Sequence, residues 1–154
     1  MARTEFAFHH RFRVRWSETD AQGVVFNARY LDYADVAVTE YWRAVKFRDY
    51  ADGAPLEFHV KKATVTWFAP IKPDELIDVM ARTVATGRTS MTQIVEIHGI
   101  TEDGSDDLRA TVDLVSVHVD LDTHRPIPLP HWVKDVFLNF DQQAATPAAV
   151  MADA

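Results

Sequence analysis

Apolar and polar residues alternate along five stretches of this chain, the pattern of strands with one buried face. The stretches lie at residues 12–16, 63–67, 77–81, 91–100 and 108–119. Phe12, Val14 and Trp16 give the first strand its buried face. In the last stretch the apolar phase changes between Leu114 and Val115. A change of phase by one residue predicts a β-bulge at that point.

A different apolar spacing, near 3.6 residues, predicts a long helix over residues 25–45. Charged residues such as Arg29, Asp32, Glu40 and Arg43 fall outside the apolar stripe. A second, short helix is predicted over residues 132–140, where it would close the fold. The stripe of the long helix consists of Leu31, Ala34, Val38, Tyr41, Trp42 and Val45.

The order of these elements predicts an α+β fold. One helix cannot cover both faces of a five-stranded sheet, so we expect an antiparallel sheet curled around the helix. Its remaining apolar surface would be buried against another copy, which predicts a homo-oligomer, a dimer or tetramer. Residues 1–143 would form a single domain, and the alanine-rich residues 144–154 a disordered tail.

The amino-acid composition excludes several classes of function. The 154 residues carry a net charge of −7, which argues against nucleic acid as a partner. There is no cysteine, so disulfides, thiolate metal sites and a cysteine nucleophile are excluded. The seven histidines lack the spacing of a metal site, and we expect neither metal nor cofactor. Without a signal peptide or membrane span in the sequence, a cytoplasmic location is expected.

The candidate chemistry lies between the first strand and the long helix. Asp20 occupies a loop just before the helix, and Gly23 suits a turn with positive φ. The start of a helix near Asn27 offers unpaired N–H groups that can stabilise an oxyanion. An aspartate in this position is also a common helix cap or turn residue, so the loop alone leaves both interpretations open.

Two further polar residues are predicted to project into the apolar stripe of the helix. They are Asn27 and Asp35, by the 100° that an α-helix turns per residue. A core-facing acid is costly unless it is paired or functional. Asp35 could pair with an arginine of the first strand, and Asn27 could bond the preceding loop. Periodicity does not decide between these structural roles and a place in a site.

Residues 15–33 resemble the signature of the 4-hydroxybenzoyl-CoA thioesterase family of hotdog proteins. The tetrapeptide Trp67-Phe-Ala-Pro and the proline-rich stretch 119–130 resemble two later segments of that family, so the likeness spans residues 10–140. The signature positions that match are Thr19, Asp20, Gly23, Val24, Val25 and Tyr30.

The resemblance implies a hotdog fold and a thioesterase site. It implies that Asp20 is the catalytic carboxylate, as nucleophile or general base, and that the N–H of Asn27 contacts the thioester carbonyl. Many relatives have histidine or tyrosine in place of Asn27. The same resemblance implies contacts of Tyr30 and Asp35 with the substrate, and of Arg88 and Ser90 with the phosphates of CoA.

The predicted function is therefore hydrolysis of an acyl-CoA to a free acid and CoA. A serine hydrolase is not expected, because no Gly-x-Ser-x-Gly elbow is present. The alternatives are a non-catalytic acyl-CoA binding protein and a hotdog hydratase or dehydratase. Hydratases of this kind usually pair the acid with a histidine, which Asn27 does not supply. The sequence leaves open whether the acyl group is aliphatic or aromatic and whether its carrier is CoA or a protein.

Overall fold

The computed structural model describes residues 1–144, which form one five-stranded antiparallel sheet with a helix against it. The strands lie in the order β1-β3-β4-β5-β2. This arrangement confirms the predicted hotdog architecture. The predicted tail, apart from Ala144, lies outside the described residues. The elements are β1 Phe8–Arg13, α1 Arg29–Val45, β2 Phe58–Trp67, β3 Leu76–Thr86, β4 Ser90–Gly99, β5 Leu108–His118 and α2 His131–Asp141.

The buried stripe of α1 differs from the predicted one. Leu31 is 45% exposed and Asp35 is also exposed. Phe8 and Phe12 of β1 pack on tyrosines of α1, at ring-centroid distances of 5.7 and 5.3 Å, so those tyrosines turn toward the sheet. The expectation that Asp35 projects into the core is therefore wrong. The residues of α1 that are buried are Tyr30, Tyr33, Ala34, Ala37, Tyr41 and Val45.

The helix also begins four residues later than predicted. Its first residue is Arg29, because the residues before it bond partners outside the helix. The N–H of Val25 donates to the carbonyl of Ile71 at 2.8 Å, and that of Phe26 donates to Glu18 at 2.9 Å. Asn27 precedes the helix and is exposed, so the prediction that it projects into the apolar stripe is wrong.

Two details of the strands need correction. β1 ends at Arg13, and Trp16 lies in a short 3₁₀ turn with 69% of its surface exposed. β5 keeps an uninterrupted register with β4 through Leu114 and Val115. Val115 and Val117 are half-buried on the sheet face opposite the helix, which explains the change of apolar phase without a bulge. Within the described residues the register of the sheet shifts at Lys61 of β2, Val84 of β3 and Arg109 of β5.

β2 is an edge strand in this chain. It pairs with β5 along one side, and it has no neighbour on the other side within residues 1–144. Two of its apolar side chains are exposed to solvent, Val60 by 62% and Trp67 by 50%. A long unpaired edge with exposed apolar side chains is a template for pairing with another chain.

The second helix closes the core as predicted, one residue longer at each end. Val133 and Phe137 of α2 are fully buried, and Phe137 packs against Tyr41 and Trp42 of α1. Neither helix of residues 1–144 has the length and apolar character needed to cross a membrane.

Candidate active site

The loop that follows β1 is folded by its own backbone. The N–H of Asp20 donates to the carbonyl of Val24 at 2.9 Å, and the N–H of Gly23 donates to that of Asp20 at 3.0 Å. Gly23 has φ +77°, as its place in the turn predicts, and a side chain there would be strained. This tight turn fixes the backbone of Asp20 at the mouth of a pocket.

The carboxylate of Asp20 is only partly used by the protein. It is half-buried, and its Oδ1 accepts the N–H of Gln22 at 2.9 Å. Within residues 1–144 its other oxygen accepts no hydrogen bond, and no lysine or arginine forms an ion pair with it. One oxygen is thus oriented by the turn, and the other is free to act on a ligand.

The start of α1 lies on the same pocket. Its N-cap residue is Ala28, and no side chain caps this end. Within the part of the chain that the structure describes, the N–H groups of Asn27 and Ala28 donate to no protein acceptor. Unpaired N–H groups at a helix start carry a partial positive charge, so this end can stabilise a developing oxyanion.

The pocket joins this loop to the end of the edge strand β2. Its volume is about 330 Å³, within the range of sites for small molecules. Trp67 packs edge-on against Tyr30, with ring centroids 6.2 Å apart. Apolar side chains form most of the wall, and Asp20 and Asn27 supply polar groups. The lining residues are Asp20, Gln22, Val24, Val25, Asn27, Tyr30, Trp67, Phe68, Ala69 and Pro70.

Tyr30 forms the floor of this pocket and is almost fully buried. Burial raises the pKa of its phenol above the ordinary value, more than the nearby backbone of Ile71 and the charge of Arg109 lower it. The phenol therefore stays protonated at neutral pH, where it can only donate or accept a hydrogen bond.

The structure places the remaining predicted residues elsewhere in the same chain. Asp35 is exposed on α1, beyond the pocket. Arg88 and Ser90 lie at the β3–β4 hairpin, whereas β1 leads into the loop of Asp20 beside Leu76, at the other end of β3. The eleven residues of β3 span about 35 Å at about 3.3 Å each. Arg88 and Ser90 thus do not share a pocket with Asp20 within one chain.

Sequence reasoning did not assign the wall of the pocket. The family likeness marks Trp67, Phe68 and Pro70 as a motif, and the structure places all three in the wall of the pocket. An aromatic pair followed by two prolines at the end of a strand is a usable signal, because such residues hold a rigid apolar surface. Gln22, which bonds Asp20 through its backbone N–H, has no comparable signal in the sequence.

No group of three or more histidine, aspartate or glutamate side chains within residues 1–144 is arranged to hold a metal ion. The polar groups of the pocket are a carboxylate, an amide, a phenol and unpaired N–H groups. This set suits polarisation of a carbonyl and attack on it.

A sheet curled around one helix, with a carboxylate loop entering the helix, is the arrangement of hotdog proteins. The sequence matches the thioesterase-like superfamily over residues 14–137, and the chain belongs to that superfamily. It is 31% identical over 140 residues to a protein of Haemophilus influenzae named acyl-CoA thioesterase YbgC, covering 84% of this chain and 93% of that protein.

Two solved thioesterase structures have the same fold as this chain. A thioesterase of Thermus thermophilus complexed with coenzyme A and zinc superposes with a TM-score of 0.74 at 25% identity, covering 90% of this chain and 97% of that one. A 4-hydroxybenzoyl-CoA thioesterase variant complexed with 4-hydroxybenzoyl-CoA gives 0.74 at 15% identity, covering 84% and 97% of the two chains. At that lower identity the likeness is one of fold.

Proposed function

We propose that this chain is an acyl-CoA thioesterase in which Asp20 is the catalytic carboxylate. The observation that carries the proposal is that Asp20 and Asn27 line one pocket at the helix start, and that within residues 1–144 one carboxylate oxygen of Asp20 and the N–H of Asn27 have no protein partner. The name of the Haemophilus relative supports the substrate class.

Two steps of the reaction are assigned to different groups. The carbonyl oxygen of the thioester faces the N–H groups of Asn27 and Ala28, where charge develops as the carbonyl is attacked. Asp20 either attacks the carbonyl carbon, giving a mixed anhydride that water then hydrolyses, or removes a proton from an attacking water. In both routes the C–S bond breaks and CoA leaves as its thiolate.

Asn27 plays a secondary part in this proposal. Its side chain is exposed at the pocket mouth, and its amide is neutral at every working pH. The amide can orient a water or the acyl group, but it cannot carry a proton between groups as histidine does. Asp20 alone then provides acid–base or nucleophilic chemistry, and Tyr30 contacts the acyl group from the pocket floor.

In this proposal a second copy of the chain supplies the groups that bind the phosphates of CoA. The unpaired edge of β2 can pair with the same edge of a second copy in antiparallel fashion. The N–H of His118 donates to the carbonyl of Thr89 at 2.8 Å, and His118 pairs with Phe58, so the β3–β4 hairpin lies at the start of β2. Antiparallel pairing would therefore bring this hairpin close to the Trp67 end of the partner.

This geometry gives Arg88 and Ser90 a place in the proposal. They would bind the phosphates of a CoA whose acyl group enters the partner's pocket. Asp35 and Leu31, exposed on the flank of α1, would be covered by the second chain. Sites would then lie between chains, in a dimer or in a tetramer of two dimers.

The activity is tested by incubating the protein with acyl-CoA esters of different chain length and aromatic character, with a thiol reagent. We expect release of CoA by the wild-type protein and little release by Asp20→Asn. Binding of the esters without release in the wild type would contradict hydrolysis and favour a non-catalytic binding protein. Formation of a hydrated acyl-CoA product would favour a hydratase.

The assembly is tested by sedimentation of the wild type and of Ala63→Arg. Ala63 is exposed in the middle of β2, so a charge there should leave the monomer folded and block pairing. We expect a dimer or tetramer for the wild type, and an inactive monomer for the variant. Ala44→Arg, on an exposed position of α1, is the matched control. A fully active wild-type monomer would contradict the interface site.

A further inference from the structure

One arginine outside the pocket binds most of the segment that forms its wall. Arg109 is the extra residue of an irregularity in β5, since Leu108 pairs with His98 while Ala110 pairs with Ile97. Residues in β-bulges often redirect a backbone near a functional site. The carbonyl of Arg109 accepts two N–H groups of the pocket wall, from Phe68 at 2.8 Å and from Ala69 at 3.2 Å.

The guanidinium of Arg109 holds the next residues of the same segment. Its Nη1 donates to the carbonyl of Pro70 at 2.8 Å and to Glu75 at 3.0 Å. Its Nη2 donates to Glu75 at 2.7 Å and to Asp107 at 2.8 Å, and its Nε donates to Asp107 at 3.1 Å. The side chain is only 13% exposed, so these charge-assisted bonds are largely shielded from water.

The segment held by Arg109 in turn anchors the loop of Asp20 on both sides. The carbonyl of Ile71 accepts the N–H of Val25, at 2.8 Å, just after the turn of Gly23. The carbonyl of Glu75 accepts the N–H of Val14, at 2.9 Å, where β1 ends. The carboxylate loop thus rests at its two ends on residues 71 and 75.

Space for the guanidinium is provided by a glycine. A Cβ on Gly99 would overlap Nη2 of Arg109 and Oδ2 of Asp107. Gly99 ends β4 and has no positive φ, so the close approach of Arg109 accounts for the missing side chain. A methyl group at this position would displace the arginine without removing it.

We propose that Arg109 is a positioning residue that fixes the pocket wall from Trp67 to Pro70 and, through residues 71 and 75, the loop of Asp20. It does not line the pocket and does not touch the reacting atoms. The catalytic part of this proposal rests on the proposed function, whereas the positioning part can be measured without any substrate.

Four variants distinguish the position of the guanidinium from its charge and from a general loss of stability. Arg109→Gln removes the guanidinium, and Arg109→Lys keeps the charge but cannot bond Pro70, Glu75 and Asp107 together. Gly99→Ala displaces the arginine sterically. The matched control is Arg11→Gln, because Arg11 also forms a two-bond pair with a carboxylate, Asp78, on the other face of the sheet.

The first measurement is amide hydrogen exchange on the full chain as purified, without substrate. We expect faster exchange in peptides covering residues 19–26 and 67–75 in both Arg109 variants and in Gly99→Ala, and unchanged exchange there in Arg11→Gln. Unchanged exchange of both peptides in Arg109→Gln would overturn the proposal, whether or not the protein is a thioesterase.

The second measurement is steady-state hydrolysis of the best acyl-CoA, per folded chain, well below the melting temperature. Displacing groups by about 1 Å costs about 100-fold, so we expect kcat to fall 10- to 100-fold in Arg109→Gln. Arg109→Lys should recover only part of this loss, and Arg11→Gln should keep wild-type kcat. Loosened peptides with unchanged kcat would overturn the catalytic part of the proposal. If the wild type hydrolyses nothing, the proposed function falls and hydrogen exchange alone decides.

Discussion

Two aspartates of this chain, Asp20 and Asp141, differ in how far other groups of the protein satisfy their carboxylates. Asp20 lies half-buried at the pocket, with one oxygen bound to its own turn and no protein partner on the other within residues 1–144. Asp141, the last residue of α2, is 2% exposed, and both its oxygens accept hydrogen bonds. The phenol of Tyr41 donates to the two oxygens at 2.9 and 2.8 Å, and the N–H of Thr83 donates at 3.0 Å.

A carboxylate whose oxygens are satisfied by protein donors serves the structure, whereas one with a free oxygen in a pocket can serve the chemistry. Asp141 joins α1, α2 and β3 through donors that satisfy it, so removing it should cost stability. Asp20 has accepting capacity to spare in a cavity large enough for a ligand, so removing it should cost activity.

Asp20→Asn should have the largest effect, on turnover. Loss of a nucleophile or general base lowers kcat by about 10²- to 10⁴-fold. The amide keeps an oxygen for the N–H of Gln22, so the free energy of unfolding should change by no more than about 0.5 kcal/mol. Thiol release and urea denaturation measure the two quantities. A large loss of stability would make Asp20 a structural residue like Asp141.

Asp141→Ala should have the opposite effect, lowering stability and leaving turnover almost unchanged. It leaves the Tyr41 phenol and the Thr83 N–H without this buried acceptor, at a cost of about 1–3 kcal/mol in unfolding free energy. Urea denaturation should show this cost, with kcat per folded chain within about twofold of wild type. Asp135→Ala, on an exposed position of the same helix, is the control and should be nearly neutral.

Asn27→Ala should have a smaller effect, less than about tenfold on kcat. The backbone N–H groups at the helix start remain, and a lost side-chain oxyanion donor would cost about 10²- to 10³-fold. Asn27→His should raise the rate near pH 7 by adding a group that exchanges protons there. If Asn27→Ala is as inactive as Asp20→Asn while folded, the amide itself is a catalytic partner.

The pH dependence of stability should show a small effect from Asp141. Burial raises the pKa of this carboxyl, although its hydrogen bonds to Thr83 and Tyr41 oppose the shift. A raised pKa in the folded state stabilises the fold below the ordinary value of about 3.9, and this stabilisation is lost as pH rises through the raised pKa. The stability of the wild type relative to Asp141→Asn should therefore decrease as pH rises above about 4. A difference that increases with pH would mean that the folded pKa is lowered.

The sequence predicts strands and turns well where they depend on a local pattern of residues. The alternation at 63–67 and 77–81 lies within β2 and β3, and the Gly23 turn formed as its position suggested. Helical spacing misplaces the start of α1, because the N–H of Val25 bonds Ile71, which is distant in the sequence, and the N–H of Phe26 bonds Glu18 in the 3₁₀ turn before Asp20. Helical spacing carries no information about such long-range bonds.

The candidate site was predictable only in part, for the same reason. Asp20 and Asn27 belong to one loop, so a motif places them together. The family likeness also suggests Arg88, but within one chain the sheet topology puts this residue at the opposite end of β3 from the loop of Asp20. Arg109 had no signal, because its role depends on an irregular strand, a glycine on β4 and a loop about 35 residues away in sequence.

The central claim is tested most directly by a single-turnover experiment with Asp20→Asn in excess over an acyl-CoA that the wild type hydrolyses. Excess enzyme isolates chemistry from binding and product release. We predict that the acyl-CoA stays bound and intact on a timescale at least about 100 times longer than the wild-type turnover. Release of CoA at the wild-type rate by this folded variant would contradict the assignment of Asp20.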